Sequence, residues 1–485
     1  MKLASPGSRA TGTAALLLLL LAPSPASPRP YLGPGEIRHT ELRTAEPAPG
    51  SNVEGEVREL RLSFTTAVQL RLSRVTVAGT MGEMPTGDLD LVDDSQGRDI
   101  RVPLPAALPP GGYRVTWQTA GPDSHIIRGD YTFSVASPAA GATFPQEPEP
   151  ADTLLEEEAA PPEGALPPPP AAAQPLPGEG TTAGVVIRWL FYLGIVLTVG
   201  ATAFRLLALP ALHRDRALGP LVVSASDRLR LLGWVGALLA LAALPGRLWV
   251  QVAAGGGGAG VGGVANLVFG TPWGYGWLLH LGGLALAMAG LLLTAPRGER
   301  TGGWVVVGVG GALLALVPSL SGHAATIEPR SLGLSLNFLH VIGASVWMGG
   351  LGALLMAGIP ALKSGERDEG GGVPGLGALV NGYSRMALPA VVVILLSGSA
   401  QNFFLLGSPG NLVTTEWGRA LLVKLGILTA AVALGLYNWR VVRPALKESP
   451  RPGLVRIPAT VEFLLGLGVL LATAILVMKA VPGNG

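Results

Sequence analysis

The chain has 485 residues, of which 14% are charged and 49% hydrophobic, a balance poor in charge for a soluble protein. A formal net charge of +2 offers no basic excess for nucleic acid, so no nucleic-acid partner is expected. There is no cysteine, which excludes disulfides and thiolate metal sites and leaves His, Met, Asp and Glu as metal ligands.

Residues 1–26 read as a signal peptide, with an uncleaved anchor as the alternative: Lys2 and Arg9 precede the short apolar run AALLLLLLA, and Ser24–Ala26 form a cleavage site. Residues 27–38, SPRPYLGPGEIR, are an N-terminal extension. Residues 39–136 predict an all-β sandwich, because apolar residues alternate at Leu60, Leu62 and Phe64, at Val75 and Val77, and at Leu89 and Leu91. The alternation continues through Ile100, Val102 and Leu104, then Tyr113, Val115 and Trp117, then Tyr131, Phe133 and Val135, with Trp117 expected in the core. Residues 137–182 are an acidic Pro/Ala linker without a basic residue, too polar to bury a core and therefore expected to be disordered.

Residues 183–482 predict an all-α bundle of eight transmembrane helices at 184–209, 229–252, 273–295, 303–323, 334–360, 384–406, 419–441 and 457–479. The glycine-rich stretch 253–266 between the second and third spans reads as a loop, with a re-entrant hairpin as the alternative. Loops on one side hold Arg205, Arg214, Arg216, Arg297, Arg300, Arg443 and Lys447 among others, whereas the other side holds only Arg330, Arg419 and Lys479. The positive-inside rule then places the β domain and both termini outside the cytoplasm, in a multi-pass protein whose immediate surroundings are the lipid bilayer.

Two groups of residues carry chemistry. In PDSHIIRGDYTFSV (122–135), an Asp-x-His triplet, Asp123 and His125, precedes a strand and offers two metal donors that can point to one side. Of the six histidines, His280, His323 and His340 fall in the outer halves of predicted spans. Intramembrane ionisable groups face the bundle interior and mark function by default, although each histidine alone is as well explained by a helix–helix hydrogen bond. In LHVIGASVWMGGL (339–351), His340, Ala344, Trp347 and Leu351 share a helical face bordered by Met348. Deeper lie Met386, Asn438 and Glu462; imidazoles above with thioethers and a carboxylate below suit a cation path through Met348, Met386 and Glu462.

These phrases carry a resemblance. HTELRTAEPAPGS from His39, RELRLSF, PLPAALPPGGYRVTWQ and PDSHIIRGDYTFSV resemble CopC, a periplasmic copper-binding protein. SGHAA (321–325), LHVIGASVWMGGL, GRALLVKLGIL (418–428), YNWRVVRPAL (437–446) and VEFLLG (461–466) resemble CopD, its membrane partner. The resemblance implies a copper-handling fusion in the bacterial inner membrane, with Cu(II) bound outside by His39, Asp123 and His125. The family site also uses the free amine of its first histidine, whereas here cleavage after Ala26 leaves residues 27–38 ahead of His39. Either a second protease trims after Arg38, or the site binds with fewer donors, or cleavage falls nearer His39.

The expected function is copper capture outside and copper transport through the bundle as Cu(I) or Cu(II), inward by analogy with the family, with other periplasmic copper carriers as partners. Enzymatic activity is not expected, since no P-loop, G-x-S-x-G or HExxH motif occurs. The alternatives are a haem or redox protein with transmembrane histidines as axial ligands, and a sensor or scaffold that tethers a copper-binding domain.

Overall fold

The structure, a computed structural model, describes residues 40–80, 82–122, 126–136, 181–254, 260–294, 301–362, 373, 375–446, 448, 450–479 and 481–482. The signal peptide and extension, the linker residues 137–180, and His39, Met81, Asp123 and His125 lie outside the described residues.

Nine strands form two sheets in the first domain. One sheet has the order β1 (Leu42–Glu46), β3 (Glu59–Phe64), β7 (Asp99–Pro103), β6 (Asp90–Leu91). The other runs β2 (Asn52–Val53), β9 (Ile126–Val135), β8 (Gly111–Ala120), β4 (Arg74–Gly79), β5 (Gly82–Met84). All pairings are antiparallel except β2 with β9. Leu60, Leu62 and Phe64 from one sheet meet Val75, Val77, Val115, Trp117 and Phe133 from the other in one core, as alternation predicts. Trp117 is a core residue, edge-on to Phe64 with ring centroids 5.3 Å apart. Leu91 departs from the expected pattern and is 40% exposed, because it sits on a two-residue edge strand where no second sheet covers it.

Among the described residues, eight helices are long and apolar enough to cross a membrane. They are α1 (Thr182–Leu212), α2 (Arg216–Ala253), α4 (Pro272–Leu293), α5 (Thr301–Leu320), α6 (Arg330–Ala361), α7 (Leu376–Leu406), α8 (Glu416–Ala445) and α9 (Pro452–Leu476). The helix α2 begins at Arg216 rather than 229, since hydropathy marks only the apolar stretch and misses the helical turns carrying Asp227 and Arg228. Residues 261–266, expected as loop, open the short helix α3 (Val261–Gly270). Its Leu267 and Val268 are buried, so tertiary packing outweighs the low helix propensity of its glycines.

That short helix sits where the two domains meet. Leu72 and Ala120 of the β domain form one apolar cluster with Leu267 and Trp273, joined by Ile126, Leu248, Val252 and Trp277. Arg128 Nη2 donates to the Ala254 carbonyl oxygen at 2.6 Å, and Arg71 lies over Gly270, where a Cβ would overlap it. The β domain is thus seated on the end of the bundle formed by the close of α2 and the start of α4. Burying a carboxylate in this apolar seam is strongly unfavourable. Leu72→Glu is expected to raise the hydrogen-exchange rates of amides at the seam, such as Ile126, by about tenfold or more, while those of β3 and β7 stay as slow as in the parent chain. Unchanged exchange at Ile126 would refute the seam.

Candidate functional site

The three membrane histidines do not share one place. His280, on α4, is fully buried between α1 and α2. Arg247 Nη1 lies 3.2 Å from His280 Nδ1, and His280 Nε2 lies 3.1 Å from the Ala240 carbonyl oxygen. An arginine can only donate and a carbonyl can only accept, so Nδ1 is the acceptor and Nε2 carries the proton. Neither nitrogen keeps a lone pair for a metal. The ring packs on Phe191 with centroids 4.4 Å apart, and the Arg247 guanidinium also lies over the Phe191 ring, 4.4 Å from its centroid. Through these two contacts His280 ties α4 to α2.

His340 is built differently. Its Nδ1 lies 3.2 Å from the Ile394 carbonyl oxygen and 3.3 Å from Ser397 Oγ, both on α7. The carbonyl requires Nδ1 to carry the proton, which leaves the Nε2 lone pair free, the tautomer that metal-binding histidines commonly adopt through an outer hydrogen bond. Gly398 leaves the room for this ring, since a Cβ there would stand 3.0 Å from His340 Cε1. His323 follows α5 in a short turn, where Thr326 Oγ1 donates to its carbonyl at 2.7 Å.

His323 and His340 line one cavity of about 210 Å³, with Asn337, Gln401, Asn402 and Lys424 among its other polar groups. No carboxylate lines it among the described residues. His323 also lines a smaller cavity of about 70 Å³ with Gln251, Trp273, Arg188 and Arg247. Trp273 belongs to the seam under the β domain, so His323 stands between the seam and the larger cavity. Lys424 escapes the sequence reading, although a lysine inside the apolar run of GRALLVKLGIL is the signal that could have found it.

At the other end of the cavity stands Trp347, which also lines a second cavity of about 190 Å³ with Tyr383, Asn438, Trp439 and Glu462. The face predicted for residues 340–351 is therefore real, with His340, Ala344 and Trp347 on the first cavity and Trp347 and Leu351 on the second. A π-turn over Ser345–Gly349 lies between. Met348 and Met386 line neither cavity: Met348 packs where a Cβ on Gly466 would come within 3.0 Å of its sulfur, and the Met386 methyl packs against Gly350. Among the described residues no group of three His, Asp or Glu side chains is placed to hold a metal, so the first cavity offers two imidazoles. The expected outer set of His39, Asp123 and His125 lies outside the described residues.

Comparison with known families fits this architecture in order along the chain. Residues 42–136 match the CopC domain, residues 180–334 the Copper resistance protein D-like N-terminal domain, and residues 377–476 Copper resistance protein D. The chain is a CopC–CopD fusion. The CopC part is the β sandwich and the CopD part is the helical bundle with both cavities. Copper transport protein CutJ of Bacillus subtilis is 24% identical over 92% of this chain and 75% of its own length. Copper resistance protein D of Pseudomonas syringae pv. tomato is 26% identical over 44% of this chain and 68% of its own. The crystal structure of CopC from Methylosinus trichosporium OB3b is 25% identical, covering 20% of this chain and 94% of that one, with a TM-score of 0.19. This CopC–CopD fusion thus belongs with the copper-handling families.

Proposed function

We propose that this protein captures copper with its CopC domain outside the cytoplasm and passes it through the CopD bundle into the cell. The observation that carries the reading is that His323 and His340 share one cavity beneath the seam on which the β domain is seated. His39, Asp123 and His125 would hold Cu(II) at the outer site. Among the described residues nearest to these in sequence, Thr40 Oγ1 and Thr66 Oγ1 are 2.6 Å apart, and the Gln69 backbone N–H donates to the Ala120 carbonyl at 2.9 Å. His39 directly precedes Thr40, and Asp123 and His125 fall between Ala120 and the seam residue Ile126.

From there His323 receives the ion and His340 Nε2 shares it. Imidazole nitrogens suit copper. Lys424 on the same wall repels a cation in proportion to its charge, which favours Cu(I) over Cu(II) inside the bundle. His280 has no part in the route, because both its nitrogens are engaged.

The test is metal analysis and an optical spectrum of the purified full-length protein after copper loading and washing, beside a His39→Ala/His125→Ala double variant. Wild type should retain copper at both sites and the variant should keep the bundle share, roughly half, with no haem spectrum. No copper in either protein, or iron with a Soret band, overturns the reading.

A further inference from the structure

Glu462 is the only buried carboxyl among the described residues, 3% exposed near the middle of α9. Its Oε1 accepts from Trp347 Nε1 at 3.1 Å and its Oε2 from Asn438 Nδ2 at 2.8 Å. Both donors belong to π-turns, Ser345–Gly349 in α6 and Asn438–Val442 in α8, irregularities that cluster at functional sites. Among the described residues no lysine, arginine or histidine lines the cavity around it. Tyr383 on α7 is the other titratable group there, and its hydroxyl donates to the Trp347 carbonyl at 3.3 Å. Across Trp347 lie His323, His340 and Lys424; across Trp439 lies a cleft at the far end of the bundle with Asn381, Arg440 and Arg443.

A carboxylate in the membrane interior with only neutral partners is costly, so it needs a proton or a nearby cation. The two donors admit either state unequally. The indole can only donate, so Oε1 is always an acceptor and a proton belongs on Oε2. The Asn438 amide donates to an ionised Oε2 and, turned over, accepts from a protonated one; its Oδ1 is buried and has no donor among the described residues.

Resting on the copper reading above, we infer that Glu462 is the counter-charge of the copper cavity: it holds a proton while the cavity is empty and gives it up when the ion enters. The Oε2–H bond breaks, the proton passes to water on the Trp439 side, and the carboxylate balances the copper charge across Trp347. Metal entry is thereby coupled to proton release toward the face opposite the β domain.

The experiment uses full-length protein carrying His39→Ala/His125→Ala, so that only the bundle binds, with copper(I) supplied as its acetonitrile complex. Copper per chain is measured by metal analysis, protons by release into weak buffer, and the carboxyl group by infrared difference spectroscopy. The expected result is a protonated-carboxyl band that disappears on copper loading with roughly one proton released per copper. In Glu462→Gln the band is missing and proton release falls at least fivefold, with copper per chain lowered only at limiting copper; Glu462→Asp restores band and release. Copper bound normally with the band unchanged, or the same band persisting in Glu462→Gln, overturns the inference and leaves the copper reading standing. No copper in the bundle of any variant overturns both.

Discussion

Cells expressing the His340→Ala protein are expected to accumulate copper at least about tenfold more slowly than cells expressing the parent chain at equal protein level. Outer-shell changes at metal sites already cost 10–100-fold in affinity, and this change removes the donor itself. His323→Ala should act in the same direction, because that ring lines both the smaller cavity and the larger one. Two comparisons separate a ligand from a structural histidine. Ser397→Ala removes one Nδ1 neighbour of His340 but leaves the Ile394 carbonyl, so its effect should be several-fold smaller. His280→Ala should leave copper bound per folded chain unchanged while lowering stability by about 1–3 kcal/mol, since it strands the Arg247 guanidinium and the Ala240 carbonyl. Normal accumulation in both His323→Ala and His340→Ala would remove these residues from transport.

The second large effect is expected at Gly349. This residue and Gly200 bring α6 and α1 into backbone contact: a Cβ on Gly349 would overlap the Val196 carbonyl and stand 2.8 Å from Gly200 Cα. A Cβ on Gly200 would overlap the Gly349 backbone in turn. Because backbone rather than a side-chain tip is in the way, no rotamer change relieves the clash, and Gly349→Ala should cost at least about 3 kcal/mol, the upper part of the overpacking range. Gly349 closes the π-turn that carries Trp347, so the same change should also weaken copper binding in any protein that folds. Thermal melting and size-exclusion recovery of purified protein measure the first effect and metal analysis the second. Gly302→Ala, with nothing among the described residues within 4 Å of the added carbon, is the control and should melt at or slightly above the parent temperature. Equal melting of both variants would show that the α1–α6 contact is looser than the geometry states.

Much of the fold is legible in the amino-acid sequence. Alternation at Leu60, Leu62, Phe64 and at Tyr113, Val115, Trp117 names core residues because a strand alternates its faces. Apolar length names eight membrane-crossing helices because a bilayer has a set thickness. The face His340–Ala344–Trp347–Leu351 is legible for the same reason of period, and the structure puts it on the two cavities. Residues 261–266 are helical where the sequence suggests a loop, because a glycine-rich helix is held by its neighbours, here the seam cluster, rather than by its own propensity.

Sequence by itself determined the two-domain plan, the number of spans and the candidate histidines, since each follows from local periodicity, length or residue type. Only the tertiary structure decided which histidines belong together. His280 and His340 lie at similar expected depth, yet one meets an arginine and a carbonyl that use both its nitrogens, and the other meets a carbonyl that uses one. Only the fold set Trp347 between His340 and Glu462, which are far apart in sequence and on different helices. A lone pair is available or not according to what the neighbouring helix presents, and that depends on packing between segments that local pattern does not encode.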